Sequence, residues 1–301
     1  MKKIIIIALL LFAIQTHGQQ DPQYTQYMYN MSVINPAYAG SKENLSLGLL
    51  YRNQWTNIEG GPRTGTFFGH LPVGEKIGLG TSIIADEIGP VKETNVYADV
   101  SYTLNLGGDH RLAFGLKAGA TFHDIGLTGI DLVDPNDPFF SQDVNEVTPN
   151  IGAGFFYYTN KYYLAVSVPN LLNSVHLDAN GFKIGSETSH YFFTGGYVFE
   201  VSTNTKLKPS FLVKSAFDAP TSFDVNLNAL FYDKFEIGAS YRLDDSFSGL
   251  VRFVIGPSVS VGYAYDAVSS DIKNYAPSSH EIIFLFDLNF PKKVSRSPRY
   301  F

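Results

Sequence analysis

The side chains able to do chemistry are few and scattered along the 301 residues. Seven histidines occur, and His123 with Asp124 comes nearest to an acid–base pair. Adjacent residues of an extended strand point to opposite faces, so these two cannot form an ordinary dyad. There is no Gly-x-Ser-x-Gly elbow, no His-Glu-x-x-His and no phosphate-binding glycine loop. Cysteine is absent, which excludes disulfide frameworks, thiolate metal sites, cysteine nucleophiles and a lipidated N-terminal cysteine. No catalytic residue, cofactor or metal site is expected, and the chain reads as a non-enzyme.

Three stretches could instead meet a partner. The connection from Gly126 to Val147 carries Asp131, Asp134, Asp137, Asp143 and Glu146 with no basic residue. Oxygen donors at that spacing suit calcium, but the glycine and closing glutamate of an EF-hand loop are missing, so a solvated acidic loop is the reading. Phe139 and Phe140 beside those charges point to a protein contact. The stretch from Asn170 to Glu187 holds Leu171 and Leu172, more apolar than a bare loop requires. The tail Pro291–Phe301 holds Lys292, Lys293, Arg296 and Arg299 and no acid, in a chain of net charge −6. That overall charge disfavours nucleic acid as a partner.

The elements that hold these stretches follow from composition and periodicity. Charged residues make up 17% of the chain, against about 25% in soluble domains, and aromatics 15%. Lys2 and Lys3, the apolar run Ile4–Ile14 and the polar stretch ending at Gly18 form a Sec-type signal peptide, cleaved near Gly18. Later segments alternate strictly. Phe223, Val225 and Leu227 face one way, and Asp224, Asn226 and Asn228 the other. Val96, Val100 and Tyr102 oppose Asn95, Asp99 and Ser101. Near the end, Ile282, Phe284 and Phe286 oppose Glu281 and Asp287, with Ile283 and Leu285 breaking the polarity of that face. Period two held for about ten residues is the transmembrane-strand signature.

The expected fold is therefore all-β, an antiparallel up-and-down outer-membrane barrel of about 14 strands over residues 44–290, embedded in the lipid bilayer. Odd-numbered connections are the longer set, though those after strands 3, 9 and 11 are short. Tyrosines at 51, 97, 102, 157, 158, 162, 163, 197, 232, 241, 263 and 265 fall mostly near strand ends, where aromatic girdles sit. The polar faces carry Arg52, Lys117, Lys208, Lys214, Arg242 and Arg252 against Asp99, Asp224, Glu236, Asp266 and Asp287. A lumen so nearly balanced closes through ion pairs or holds a plug, while an open, weakly selective pore is the other possibility. Residues 19–43 are the plug or periplasmic segment, with Pro22 opening a helix on which Tyr24, Tyr27, Met28 and Met31 share a face until Asn35-Pro36. Residues 291–301 form a basic periplasmic tail.

Three blocks carry a likeness: Asp21-Pro22-Gln23-Tyr24-Thr25-Gln26-Tyr27, Ile34-Asn35-Pro36-Ala37-Tyr38-Ala39-Gly40, and Tyr51-Arg52-Asn53-Gln54-Trp55. They resemble the PorP/SprF family of outer-membrane proteins of the type IX secretion and gliding-motility apparatus. Asn35, Pro36, Gly40, Arg52, Gln54 and Trp55 are the motif positions, and Gly78-Leu79-Gly80 extends the likeness into the strands. The resemblance implies a Gram-negative outer-membrane partner protein in protein secretion and cell-surface display. Its partners would be a secreted cargo adhesin with a C-terminal sorting domain and other secretion components in the outer membrane and periplasm. The barrel alone implies a different function, an outer-membrane porin or small-solute channel.

Overall fold

The computed structural model describes residues 23–42, 44–130, 140–172, 175–179, 182–186, 189–216 and 219–288. The segments expected from sequence to be a signal peptide and a basic tail lie outside them. Seven strands come first: β1 Leu45–Asn53, β2 Arg63–Val73, β3 Ile77–Ile88, β4 Val91–Gly107, β5 His110–Ile125, β6 Val144–Tyr158 and β7 Tyr162–Val168. A separate hairpin follows, β8 Val175–Ala179 with β9 Phe182–Ser186, inside the connection read from sequence as a plain loop. Next, β10 Tyr191–Tyr197 and β11 Phe199–Ser202 share one wall position interrupted at Val198. The wall ends with β12 Thr205–Ala216, β13 Ala219–Phe231, β14 Phe235–Arg242, β15 Ser246–Val254, β16 Val259–Val268 and β17 Ser278–Leu288.

Every neighbouring pair is antiparallel, and β1 closes on β17 in register from Leu45 opposite Leu288 to Asn53 opposite His280. Counting β10 and β11 once, with β1–β7 and β12–β17, gives a closed barrel of 14 strands. Closure joins the first strand to the last, so the ladder runs round the whole wall and its paired amides are met within the protein, as a bilayer demands. Among the described residues no helix is long and apolar enough to cross a membrane.

The faces are inverted relative to a soluble protein. On β13, Asp224, Asn226 and Asn228 are buried, while Phe223, Val225 and Leu227 are exposed. On β5, Lys117, Thr121 and His123 are buried and Phe114, Leu116 and Phe122 exposed. Polar-in and apolar-out is the arrangement lipid selects. Tyr51, Tyr102, Tyr197, Tyr232 and Tyr265 are exposed toward strand ends as a girdle requires, while exposed Tyr263 lies at mid-strand. Tyr97, Tyr158 and Tyr163 depart from that expectation: they point inward and are buried. Their rings pack against other inward groups, as Tyr158 does on Phe156 at 4.9 Å between centroids.

The two ends of the barrel differ. Connections 74–76, 108–109, 159–161, 203–204, 232–234 and 255–258 are tight, and β1 begins and β17 ends on that side, here the turn end. The opposite, loop end carries 54–62, 126–143, 169–190 and 269–277. A closed barrel of this kind resists detergent unfolding. Unboiled protein is expected to migrate faster in SDS gels than boiled protein, and equal migration would contradict the closed wall.

Candidate functional site: a plugged lumen

The lumen is filled by the chain itself. Residues 23–42 run through it as three single turns, a 3₁₀ turn Tyr27–Tyr29, one α turn Met31–Ile34 and a 3₁₀ turn Pro36–Tyr38. The continuous helix suggested by the spacing of Tyr24, Tyr27, Met28 and Met31 does not form. An amphipathic helix needs one wet face, and here Thr25, Gln26, Asn30, Ser32 and Asn35 are as buried as the apolar residues between them. Asn30 leaves helical geometry at φ −117°, and Asn35 is extended ahead of Pro36.

Such short turns leave carbonyls without intrahelical partners, and the wall supplies the donors. Lys117 Nζ donates to the Val33 carbonyl at 2.9 Å, Ser167 Oγ to Ile34 at 2.6 Å and Ser101 Oγ to Ala39 at 2.6 Å. The Asn35 side chain caps the next turn by accepting from Ala37 N at 2.9 Å, while its Nδ2 donates to the Phe155 carbonyl at 3.0 Å. Tyr27, Met28, Met31, Val33, Ile34 and Tyr38 pack with inward Leu50, Phe68, Phe156, Tyr163, Leu212, Ile283 and Leu285 in one buried cluster. Burial of each such side chain contributes about 1.5–3 kcal/mol.

Near the loop end the plug is held by charge. Arg52 on β1 meets Asp266 of β16 at 2.7 Å and Glu281 of β17 at 3.1 Å, and all three are buried. Glu281 accepts from the backbone of Thr25 at 3.0 Å and of Gln26 at 2.9 Å. The Thr25 hydroxyl donates to Asp266 at 2.8 Å and accepts from Arg52 at 3.0 Å. One cation between two carboxylates leaves a net negative charge, and the plug's amide dipoles neutralise it. Below, the Tyr29 ring lies 5.0 Å from the Arg252 guanidinium and 5.4 Å from Lys208 Nζ, with Arg252 paired to Glu236 at 2.6 Å. Lys117 sits 3.6 Å from Asp99 and over the Tyr97 ring at 4.9 Å. Arg242 pairs with Asp224 at 2.8 Å.

The plug leaves at the turn end. Gly40 N donates to His70 Nδ1 at 3.2 Å, and Lys42 reaches Asp287 at 3.6 Å. Gly40 has φ +73°, and its would-be Cβ lies 2.6 Å from the Gly78 Cα, while a Cβ on Gly78 would strike the Ala39 carbonyl. Backbone passes directly over backbone here, which only paired glycines permit.

The motif positions thus fall into one assembly. Asn35, Pro36 and Gly40 form the lower plug, and Arg52 forms its upper latch. Gln54 and Trp55 open the first long loop, with Trp55 N donating to Ser279 Oγ at 3.2 Å, two residues from Glu281. Sequence reading placed eleven charged residues in the lumen but left out Glu281; its register opposite Arg52 would have found it.

The other candidates are separate. Asp131, Asp134, Asp137, Phe139, Lys292 and Lys293 lie outside the described residues. Phe140 is half-buried beside the base of its loop, where Asp143 accepts from Thr128 N at 2.9 Å and Thr128 Oγ at 2.8 Å. Those two donors hold the exposed Asp143 carboxyl below its ordinary range. Leu171 and Leu172 are exposed at the loop end, with Leu171 N bonded to the Ile151 carbonyl at 2.8 Å. His123 faces the lumen, 3.2 Å from Thr148 Oγ, and Asp124 faces out, so the pair is split as the strand geometry requires. Among the described residues no group of three or more histidines and carboxylates could hold a metal.

A closed barrel that is apolar outside, charged inside and filled by its own N-terminal segment defines a plugged outer-membrane β-barrel protein. Its fold resembles the Ralstonia pickettii toluene transporter TbuX (TM-score 0.53, 11% identity, 85% of this chain and 92% of that one). It also resembles the Acinetobacter baumannii outer membrane protein Omp33 (TM-score 0.50, 11% identity, 83% and 100%). At such identity these show the fold alone. No curated protein matches the sequence. The sequence profile of the type IX secretion system membrane protein PorP/SprF matches residues 16–286, and the chain belongs to that family. Family and fold together support an outer-membrane location and association with other secretion components.

Because Arg52 is the cation paired with two buried carboxylates, Arg52→Met is expected to cost about 3–5 kcal/mol. The measurement is the midpoint of loss of the fast-migrating folded band on heating or in urea. Glu281→Gln, which keeps an acceptor for the plug amides, should cost less. Equal stability of R52M and the parent would mean that the latch does not hold the plug.

Proposed function

We propose that this protein is a non-enzymatic outer-membrane partner of the type IX secretion and gliding-motility system. In this reading it serves export or surface attachment of a large cargo adhesin through the cargo's C-terminal sorting domain. The observation that carries the reading is the plug: residues 23–42 fill the lumen, so a diffusive path for small solutes is the function the barrel is least suited to. What is left for recognition is the surface outside the wall. Loops 126–147 and 170–187 mix apolar Phe139, Phe140, Leu171 and Leu172 with acidic Asp131, Asp134 and Asp137, the composition that an interface core and rim call for. By the rule that barrels keep short turns in the periplasm, those loops face outward. The tail 291–301, with Lys292 and Lys293, then lies on the periplasmic side, suited to an acidic component of the machinery.

Planar bilayers separate this from a channel. Intact protein is expected to give no large, stable single-channel steps, and such steps would favour the porin reading. Affinity purification of detergent-extracted protein should recover a cargo with a C-terminal sorting domain. Deleting 131–143 should abolish that recovery while the fast-migrating folded band persists. Undiminished recovery by the deletion would remove the loop from the binding site. Truncation after Phe290 should spare cargo and weaken periplasmic association, more so as salt screens exposed charges beyond about 8 Å.

A further inference from the structure

The plug has a direction. Its first described residues, Gln23–Gln26, sit beside Arg52, Asp266 and Glu281, all placed toward the loop end of their strands. Gln23 and Tyr24 also help line a small recess with Phe192, Lys214, Asp224 and Arg242. Its last residues, Gly40 and Lys42, sit beside Gly78 and Asp287 at the turn end. Between these levels β1 climbs seven residues from Leu45 to Arg52, about 23 Å of strand at 3.3 Å per residue. The plug therefore descends from the loop end to the turn end, and β1 returns antiparallel to it.

We infer that the plug begins at the loop-end mouth, with Gln23 toward the cell-surface side, and not at the turn end, on the periplasmic side where sequence reading placed the N-terminal segment. This inference rests on the outer-membrane orientation used above. A return to the turn end would need a second passage through a lumen in which Met28, Met31, Tyr38, Phe156, Tyr163 and Lys208 already meet. Their packing leaves no corridor for an extended strand. Gln23 then stands at the outer end of the lumen, beside the recess, on the side from which an extracellular partner approaches.

The absence of cysteine allows a clean test. A Gly-Ser-Cys-Gly-Ser insert between Gln20 and Asp21 is exposed to a membrane-impermeant maleimide, on intact cells and after outer-membrane disruption. Glu59→Cys, exposed in loop 54–62, reports the loop end, and Ser202→Cys, exposed beside turn 203–204, reports the turn end. Only variants that keep the fast-migrating folded band are scored, and Gln20→Cys replaces the insert if the insert does not fold. Labelling on intact cells equal to E59C, with S202C labelled only after disruption, supports the inference. Labelling only after disruption, together with S202C, overturns it, as does labelling only after denaturation. If instead S202C labels on intact cells and E59C does not, the orientation is wrong. The threading then stands or falls on whether the insert still follows E59C.

Discussion

Every other feature of this molecule answers to the cost of burying charge in a lumen with little room for water. An ion moved from water into a low-dielectric interior loses several kcal/mol even after relaxation, and a partner's attraction recovers it only when lone pairs and protons are also satisfied. The inner wall carries at least six cations. For three of them the wall alone is insufficient: Lys117 takes the Val33 carbonyl, while Lys208 and Arg252 take the face of Tyr29. The Arg52 cluster needs Thr25 and Gln26 in the same way. Wall and plug are thus complementary in charge as well as in shape, and neither is electrostatically complete without the other.

The same dependence explains the plug's irregular backbone. A helix satisfies itself and can be inserted anywhere, but three single turns expose carbonyls that must be met from outside. Ser101, Ser167 and Lys117 meet them from three different strands. The segment is consequently specified by this lumen and no other environment, which argues for a permanent structural element. An outer-membrane channel with a removable stopper would favour a self-contained plug that stays folded when it leaves.

Much of the wall was legible in the sequence because lipid and lumen impose opposite polarities on a period of two, and β13 reads off directly. Ile283 and Leu285 looked like irregularities in that pattern. They are the wall's contribution to the plug core, so a break in lumen polarity is itself a sign of something packed inside. The helix from Pro22 failed as an expectation because apolar spacing was weighed without asking where the intervening Thr25, Gln26 and Asn30 would go. The β8–β9 hairpin was missed because its strands, Val175–Ala179 and Phe182–Ser186, alternate over only five residues each, half the length that marks the wall strands. The interruption at Val198 depends on the bond from its N–H to the Lys161 carbonyl, a tertiary contact that local patterning does not encode.

The positions on which the sequence resemblance rests bear on where specificity can reside. Asn35, Pro36 and Arg52 are buried, and Gly40 is clamped against Gly78, so none of them can touch a partner. Their geometry is defined by mutual contacts inside the barrel. A family can share such a set across paralogues whatever each one binds, because the set stabilises the scaffold and contributes nothing to discrimination. Discrimination must come from groups that desolvate on contact, and those are side chains outside the wall such as Leu171 and Leu172 at the loop end. The plug's part in recognition is indirect. By anchoring Gln54 and Trp55 through Arg52 and the start of β17, it holds the root of the first long loop in one place. A binding loop on a rigid root gives up less conformational entropy when a partner arrives. A lumen filled and cross-linked by the plug is therefore a means by which the barrel holds its outer loops on a fixed base.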